Sequence, residues 1–157
     1  MASTLKPAEL RAWRAFLNAQ ASLLRQLEAE LVASEDMTLA EFDVLVQLRV
    51  APDQRLRMNE LSEHVRLSPS GITRLVDRMV QAGLVERGPC AEDRRVTWAI
   101  LTPAGRARVR RASPLHLRGV RDHFARRLSP AQLESLADAL ESVVPGTSGD
   151  DPVSSKT

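Results

Sequence analysis

Residues 66–101 of this chain read RLSPSGITRLVDRMVQAGLVERGPCAEDRRVTWAIL. Ser68 is a favourable N-cap residue and Pro69 suits the first helical position, so we predict a helix that runs from Pro69 to about Ala82. Gly83 is expected to end this helix, because glycine readily adopts the left-handed backbone conformation that commonly follows one.

The predicted helix has an apolar face and a polar face. Apolar residues recur at the spacing i, i+3, i+4, i+7 and i+8, which places them on one stripe of a helix. That stripe consists of Ile72, Leu75, Val76, Met79 and Val80. The opposite face carries Ser70, Thr73, Arg74, Asp77, Arg78 and Gln81. We expect the first face to be buried and the second to be exposed.

A β-hairpin is predicted directly after this helix. Residues 84–87 and 96–101 have the short apolar character of strands, and the second segment is rich in β-branched residues. The loop between them, 88–95, is polar and ends in Glu-Asp-Arg-Arg. A shorter helix is predicted over residues 58–65. The order of helix, tight turn, helix and hairpin is typical of a winged helix-turn-helix.

The polar helix face and the hairpin tip carry side chains that suit contacts with double-stranded DNA. The second helix of such a motif enters the major groove, where its first residues reach base edges. An arginine at the tip of a protruding hairpin can enter a narrow minor groove, where the negative potential is deepest, and a nearby carboxylate can hold it in position. The candidate DNA-binding residues are Ser68, Ser70, Thr73, Arg74, Arg78, Asp93, Arg94 and Arg95.

The segments before this motif are predicted to be mostly helical. Residues 7–33 form one long helix in this reading, with leucines every seven residues as in a coiled coil. Thr38 and Glu41 have the spacing of a capping box, which opens a second helix. Residues 51–57 are interpreted as a loop.

The segments after the hairpin are predicted to be two helices and a tail. Pro103 follows a threonine and begins one helix, and Pro114 is expected to kink or break it. Pro130 follows a serine and begins the last helix. Residues 145–157 are polar and rich in small residues, and we interpret them as a disordered tail.

The predicted fold class is mainly α with a small β-hairpin wing. Residues 36–102 make up the winged helix-turn-helix in this division of the chain. Residues 5–35 and 103–144 are the N- and C-terminal helices, which we expect to form a dimerisation domain, and residues 145–157 follow it.

The long first helix carries more apolar surface than a small domain can cover. Its leucines line one side, and a tryptophan fills the three-residue offset between them. Packing within one chain is the alternative use of this surface, and dimerisation is the natural one. The candidate dimer-interface residues are Leu10, Trp13, Leu17, Leu24, Leu133, Leu136 and Leu140.

Composition and charge restrict the functional classes. The chain has 157 residues, 43% of them hydrophobic, so it can bury a core. Its net charge is only +2, but residues 66–127 hold 14 Arg and five Asp or Glu, which is a basic middle between acidic ends. Aromatic residues make up 3%, which argues against a protein that stacks single-stranded bases on aromatic side chains.

Three short motifs carry a resemblance to a known family. They are GLVER at residues 83–87, DRR at residues 93–95 and LTPAG at residues 101–105. In this combination and spacing the sequence resembles the MarR (multiple antibiotic resistance regulator) family, over about residues 5–144.

The resemblance implies a homodimeric winged-helix repressor in the bacterial cytoplasm that binds a pseudo-palindromic operator. The recognition helix would be residues 69–82, the wing arginine Arg95 and its carboxylate partner Asp93. No cofactor is implied. Many such proteins release DNA when a small anionic or phenolic effector binds between the dimerisation helices and the winged helix. The side chains that could meet such an effector here are Trp13, Arg14, Phe16 and Phe42.

Other forms of regulation stay open from the sequence. Cys90 lies at the start of the hairpin loop, and a thiol beside arginines could sense oxidants. His116 and His123 are seven residues apart on one predicted helix, about 10.5 Å along its axis, which is too far for one metal ion without a partner chain. A redox- or metal-responsive regulator, or an architectural DNA-binding protein without a specific operator, remain the alternatives.

The sequence lacks the motifs of the common enzyme classes. It contains neither the G-x-S-x-G pattern nor the G-x-x-x-x-G-K pattern, and we expect no enzymatic activity. No stretch of about 18 apolar residues and no signal-peptide pattern are found, so we expect no membrane association and a cytoplasmic protein.

Overall fold

The structure, a computed structural model, describes residues 4–89 and 96–144 of the chain. The helices and strands follow the predicted order closely. They are α1 (Pro7–Glu35), α2 (Leu39–Val50), β1 (Arg55–Arg57), α3 (Met58–Val65), α4 (Pro69–Gln81), β2 (Val85–Pro89), β3 (Thr97–Leu101), α5 (Pro103–His123) and α6 (Pro130–Glu141), with short 3-10 turns at Pro52–Gln54 and Ala125–Arg127. None of the helices in the described ranges is long and apolar enough to cross a membrane.

The hydrophobic core lies between α2, α3, α4 and the sheet. It takes in the central residues of α2 and the apolar stripe of α4, and it extends to β2, β3 and the first half of α5. Its members include Val44, Leu45, Leu48, Leu61, Ile72, Leu75, Val76, Met79, Val85, Ala99, Leu101 and Val109, all of them buried. The stripe predicted for α4 is confirmed apart from Val80, which is exposed.

The sheet has a strand in a segment that is predicted to be a loop. Within the described residues, β3 pairs antiparallel with β2 on one side and with β1 on the other. In β1, Leu56 sits opposite Ala99 and packs against the core, whereas Arg55 and Arg57 lie on the outer face beside Trp98. A three-residue strand with one apolar side chain is too short to produce a recognisable alternation, so the loop predicted over 51–57 is wrong for residues 55–57.

Helix α5 does not end at Pro114, so of the two outcomes predicted for this proline, a kink or a break, the break is wrong. It runs from Pro103 to His123 with Pro114 on its exposed side. Ala112 and Gly119, on either side of the proline, are both buried. Packing on both halves of the helix thus outweighs the loss of one backbone hydrogen bond at the proline.

Helices α1 and α5 run antiparallel and are joined by charged side chains. Near the end of α1, Glu35 forms an ion pair with Arg111 at 3.0 Å. Arg108 donates to the backbone carbonyl of Glu35, which caps the C-terminus of α1. Farther along, Glu30 lies 2.6 Å from His123. The order of these contacts along the two helices fixes their relative direction.

The junction between β3 and α5 also touches the end of α4. The Thr102 hydroxyl donates to the Gly83 carbonyl at 2.7 Å and accepts from the Gly105 amide at 3.0 Å. Gly83 has φ +72°, the left-handed conformation predicted for it. Gly105 packs so closely on the turn after α4 that a Cβ atom there would overlap the Leu84 carbonyl. The first turn of α5 is therefore fastened directly to the C-terminal end of α4.

One carboxyl group in α2 gives a prediction for the pH dependence of stability. Burial raises the pKa of Asp43 from 3.8 to about 6, although the positive charge of Arg66 opposes this shift. The folded protein therefore holds this proton more tightly than the unfolded chain does, so this group lowers stability as the pH rises from about 4 to about 6.

We therefore expect Asp43→Asn to raise the free energy of unfolding at pH 7 by about 1 kcal/mol. This is less than the full pKa shift would give, because the side chain is partly hydrated. At pH 4, where the native carboxyl group is already protonated, the variant and the wild type should unfold alike. Urea denaturation at the two pH values measures the difference. Equal gains at both would show that ionisation of Asp43 is not the cause.

Candidate nucleic-acid interface

Helix α4 presents its polar residues to solvent as the sequence predicts. Ser68 caps the helix, and its hydroxyl accepts from the Gly71 amide at 3.1 Å. The side chains of this face project away from the buried stripe and leave the first turns accessible. The exposed candidates on it are Ser68, Ser70, Thr73, Arg74 and Arg78, together with Asp77 and Gln81.

Two of these side chains hydrogen-bond to their own helix. The Thr73 hydroxyl donates to the Pro69 carbonyl at 2.8 Å, and the Arg74 Nε donates to the Ser70 carbonyl at 3.3 Å. Both acceptors are carbonyls that already lie within the helix, so these are local contacts that a stronger acceptor can replace. A phosphate oxygen is such an acceptor, because a charged acceptor forms a stronger hydrogen bond with a guanidinium group.

Arg87 in β2 connects the hairpin to α4 and is not among the predicted site residues. Its guanidinium lies 2.9 Å from the Asp77 carboxylate and donates to the Thr73 carbonyl at 3.4 Å. Arg87 and Asp77 are ten residues apart, on either side of the turn at Gly83. The signal that could have identified this pair was two opposite charges on elements that are joined by a tight turn and therefore run back beside each other.

The residues predicted for the hairpin tip lie outside the described part of the chain. These residues are Cys90, Asp93, Arg94 and Arg95. The strands leading to this segment pair as far as Pro89 and Thr97, which confirms the predicted hairpin. The roles assigned to the tip residues in minor-groove binding and in redox sensing stay predictions.

The four side chains predicted to meet an effector are not brought together within one chain. Phe42 is 4% exposed and packs in the core, with its ring centroid 4.6 Å from that of His116. Trp13 and Phe16 lie together near the start of α1, with ring centroids 6.2 Å apart, and Arg14 beside them is exposed. Leu31, the residue of α1 that belongs to the same core cluster as Phe42, lies 18 residues beyond Trp13, about 27 Å along the helix axis.

The candidate dimer-interface residues are largely exposed in the single chain. Residues 11–21 of α1 are all exposed, and α6 keeps only two residues partly covered. Trp13 is 52% exposed and Leu17 is 40% exposed, which is unusual for such large apolar side chains. Of the remaining candidates, Leu24 and Leu140 are also exposed, whereas Leu10, Leu133 and Leu136 are half-buried.

The histidines of α5 contact protein groups. His123 pairs with Glu30, and His116 packs against Phe42. Burial lowers the pKa of His116, and the charge of Glu30 acts against this. Within residues 4–89 and 96–144, no three histidine, cysteine or acidic side chains cluster in a way that could hold a metal ion.

Comparisons with known proteins agree on one family. A sequence model of the MarR family matches residues 35–96. The chain is 36% identical over 92 residues to an uncharacterized HTH-type transcriptional regulator of Bacillus cereus, and this match spans 59% of each protein. The chain thus spans less than two thirds of the length of that relative.

Two solved structures resemble almost the whole chain. AbsC, a MarR family transcriptional regulator from Streptomyces coelicolor, has a TM-score of 0.84 at 34% identity, covering 90% of this chain and 95% of AbsC. Sco3205, a MarR family regulator from the same organism solved in complex with DNA, has a TM-score of 0.87 at 31% identity, covering 96% of this chain and 94% of Sco3205.

The fold and the comparisons lead to the same assignment. The observed winged helix agrees with the family that the motifs in residues 83–105 indicated. The members of this family are transcriptional regulators and not enzymes, in agreement with the expectation from the sequence. This chain belongs to the MarR family of winged-helix transcriptional regulators.

Proposed function

We propose that the protein is a homodimeric transcriptional repressor that binds a pseudo-palindromic operator through α4 and the hairpin of each protomer. The single observation that carries this proposal is the exposed polar face of α4, with Arg74 and Arg78 one turn apart. Helix α4 inserts into the major groove, and the hairpin tip reaches the adjacent minor groove.

Homodimerisation through α1 and α6 is supported by their exposed apolar side chains. One winged helix covers one half-site, and two related by a two-fold axis bind half-sites about one DNA turn apart. A dimer would also cover the surface of Trp13, Leu17 and Leu24 that the single chain leaves in water. Repression then follows if the bound dimer occupies the promoter.

The proposal is tested by fluorescence anisotropy at fixed salt. One duplex is the DNA upstream of the protein's own gene, and a scrambled duplex of equal length is the control. We expect tight binding to the native fragment alone and a steep fall in affinity with added salt, because several phosphates are neutralised. Equal and weak binding to both duplexes would instead favour the architectural alternative.

The wing is tested by the variant Arg95→Ala. If Arg95 enters the minor groove, its removal should weaken binding to the native fragment by about 10-fold, the ratio that about 1.4 kcal/mol gives. Unfolding and sedimentation should be unchanged. An affinity equal to that of the wild type would remove Arg95 from the DNA contacts.

Effector control is also part of the proposal. The support is the exposed aromatic pair of Trp13 and Phe16 beside Arg14, which suits a small aromatic anion if a second protomer closes over it. A phenolic carboxylate added to the preformed DNA complex should then lower the anisotropy. Arg14→Gln should weaken this response, and an unaltered response would exclude Arg14 from the site.

A further inference from the structure

The contact between Arg87 and Asp77 links the two elements that are proposed to bind DNA. Arg87 lies in β2 opposite Ala99, two residues beyond the buried Val85 along the strand. Its guanidinium reaches across to Asp77 and to the Thr73 carbonyl, both in α4. One side chain thus contacts two successive turns of α4.

We propose that Arg87 and Asp77 form a positioning pair that sets the place of the hairpin relative to α4. Val85 anchors the base of β2 in the core, whereas the next residues, Glu86 and Arg87, are exposed. Beyond that base, the Arg87 side chain forms an ion pair and a hydrogen bond with the exposed side of α4 and so ties the described part of the hairpin to this helix. This inference rests on the proposed DNA-binding function for its purpose, although the pair itself exists without DNA.

The position of the hairpin matters because both grooves must be met at once. If α4 lies in the major groove and the tip in the minor groove, a change in the distance between them loses one of the two contacts. A preorganised spacing removes the cost of ordering the hairpin when DNA binds.

The pair also explains why a carboxylate, which should repel DNA, lies on the face of α4 that is proposed to bind DNA. Asp77 lies among Thr73, Arg74 and Arg78 on the exposed side of α4. An unpaired carboxylate there would repel phosphates, but its pairing with Arg87 offsets the charge. Electrostatics alone and the positioning role therefore predict opposite effects when this carboxylate is removed.

The experiment uses the full-length protein with Asp77→Asn, Arg87→Gln and the double variant. Asp122→Asn is the matched control, because it also removes a carboxylate from an exposed Arg–Asp pair, in which Asp122 of α5 contacts Arg126 of the following 3-10 turn. Hydrogen exchange of the β2 and β3 amides is measured without DNA. Affinity is measured on a duplex that the wild-type protein selects from a randomised library.

If the pair positions the hairpin, Asp77→Asn speeds amide exchange in β2 and β3 and weakens binding to the selected duplex by about fivefold. Asp122→Asn changes neither. The double variant, which has the net charge of the wild type, binds no more weakly than the weaker single variant, because both substitutions remove one contact. The unfolding midpoints stay equal, which separates positioning from general stability.

Three results would overturn the inference or separate it from the proposed function. Tighter binding of Asp77→Asn would mean that Asp77 only repels DNA. Unchanged exchange in β2 and β3 would mean that the pair holds nothing in place. If the wild type binds no duplex, the proposed function fails, and the exchange measurement without DNA still decides whether the pair positions the hairpin.

Discussion

Replacing Gly105 by alanine is expected to lower the free energy of unfolding by about 2 kcal/mol or more, despite alanine's higher helix propensity. The added Cβ would overlap the Leu84 carbonyl and approach the Leu101 Cδ1 atom to 2.8 Å. The carbonyl belongs to the backbone of the turn after α4, so it cannot rotate away as a side chain can. Urea denaturation measures the loss.

A second glycine in the same helix provides the control for this substitution. A Cβ at Gly119 would meet the Glu30 Oε2 atom at 2.6 Å and the Leu27 Cδ2 atom at 2.8 Å, both in side chains. These can adjust, so Gly119→Ala should cost less than about 1 kcal/mol. If Gly105→Ala proved as stable as the wild type, the close contact between α5 and the turn after α4 would be refuted.

The substitution at Gly105 should also reduce DNA binding beyond its effect on stability. Displacing the first turn of α5 stretches the hydrogen bond from Thr102 to the carbonyl of Gly83, in the turn that follows α4. Binding to the native fragment should therefore weaken even at a temperature where the variant remains folded. Retained affinity in a destabilised variant would show that the junction serves stability alone.

Substituting Leu17 by aspartate is expected to dissociate the proposed dimer and to weaken operator binding by about 100-fold or more. The side chain is 40% exposed in the single chain and lies in the row of α1 proposed to contact the second copy. Burying an unpaired carboxylate at such an interface costs several kcal/mol. A monomer then engages one half-site and loses the gain of binding two sites together.

The control for this variant is Val50→Asp at the end of α2. Val50 is also 40% exposed but lies in the winged-helix part of the chain rather than in α1 or α6. Sedimentation velocity should find a dimer for Val50→Asp and a monomer for Leu17→Asp, with similar circular dichroism spectra. A dimeric Leu17→Asp would move the interface to another surface.

The elements that the sequence predicted well are those with explicit start and stop signals. The serine and proline before α4, the glycine after it and the capping box of α2 are local chemistry, and each is found where expected. The strand β1 and the continuous α5 were missed for the opposite reason. Both depend on partners distant in the chain, since β1 needs β3 and α5 needs packing on both sides of Pro114.

The same distinction holds for the candidate site, where features set by local sequence were predictable and features set by distant contacts were not. The exposed face of α4 follows from helical periodicity alone, and so do Arg74 and Arg78 upon it. The role of Arg87 required the return of β2 beside α4, which periodicity does not give. The predicted effector residues grouped Phe42 with Trp13, which the length of α1 separates, because a linear reading does not locate residues along a 29-residue helix.

Because α5 is fastened to the end of α4, a small tilt of α5 produces a large displacement at the junction of the two helices. Its 21 residues span about 31 Å, so a tilt of about 5° about the far end would carry Thr102 by nearly 3 Å. That displacement is close to the 3.4 Å rise between neighbouring base pairs. In the proposed dimer, a small adjustment at the interface between the protomers would thus shift α4 by almost one base-pair step along the duplex, and the helix would no longer fit the proposed operator.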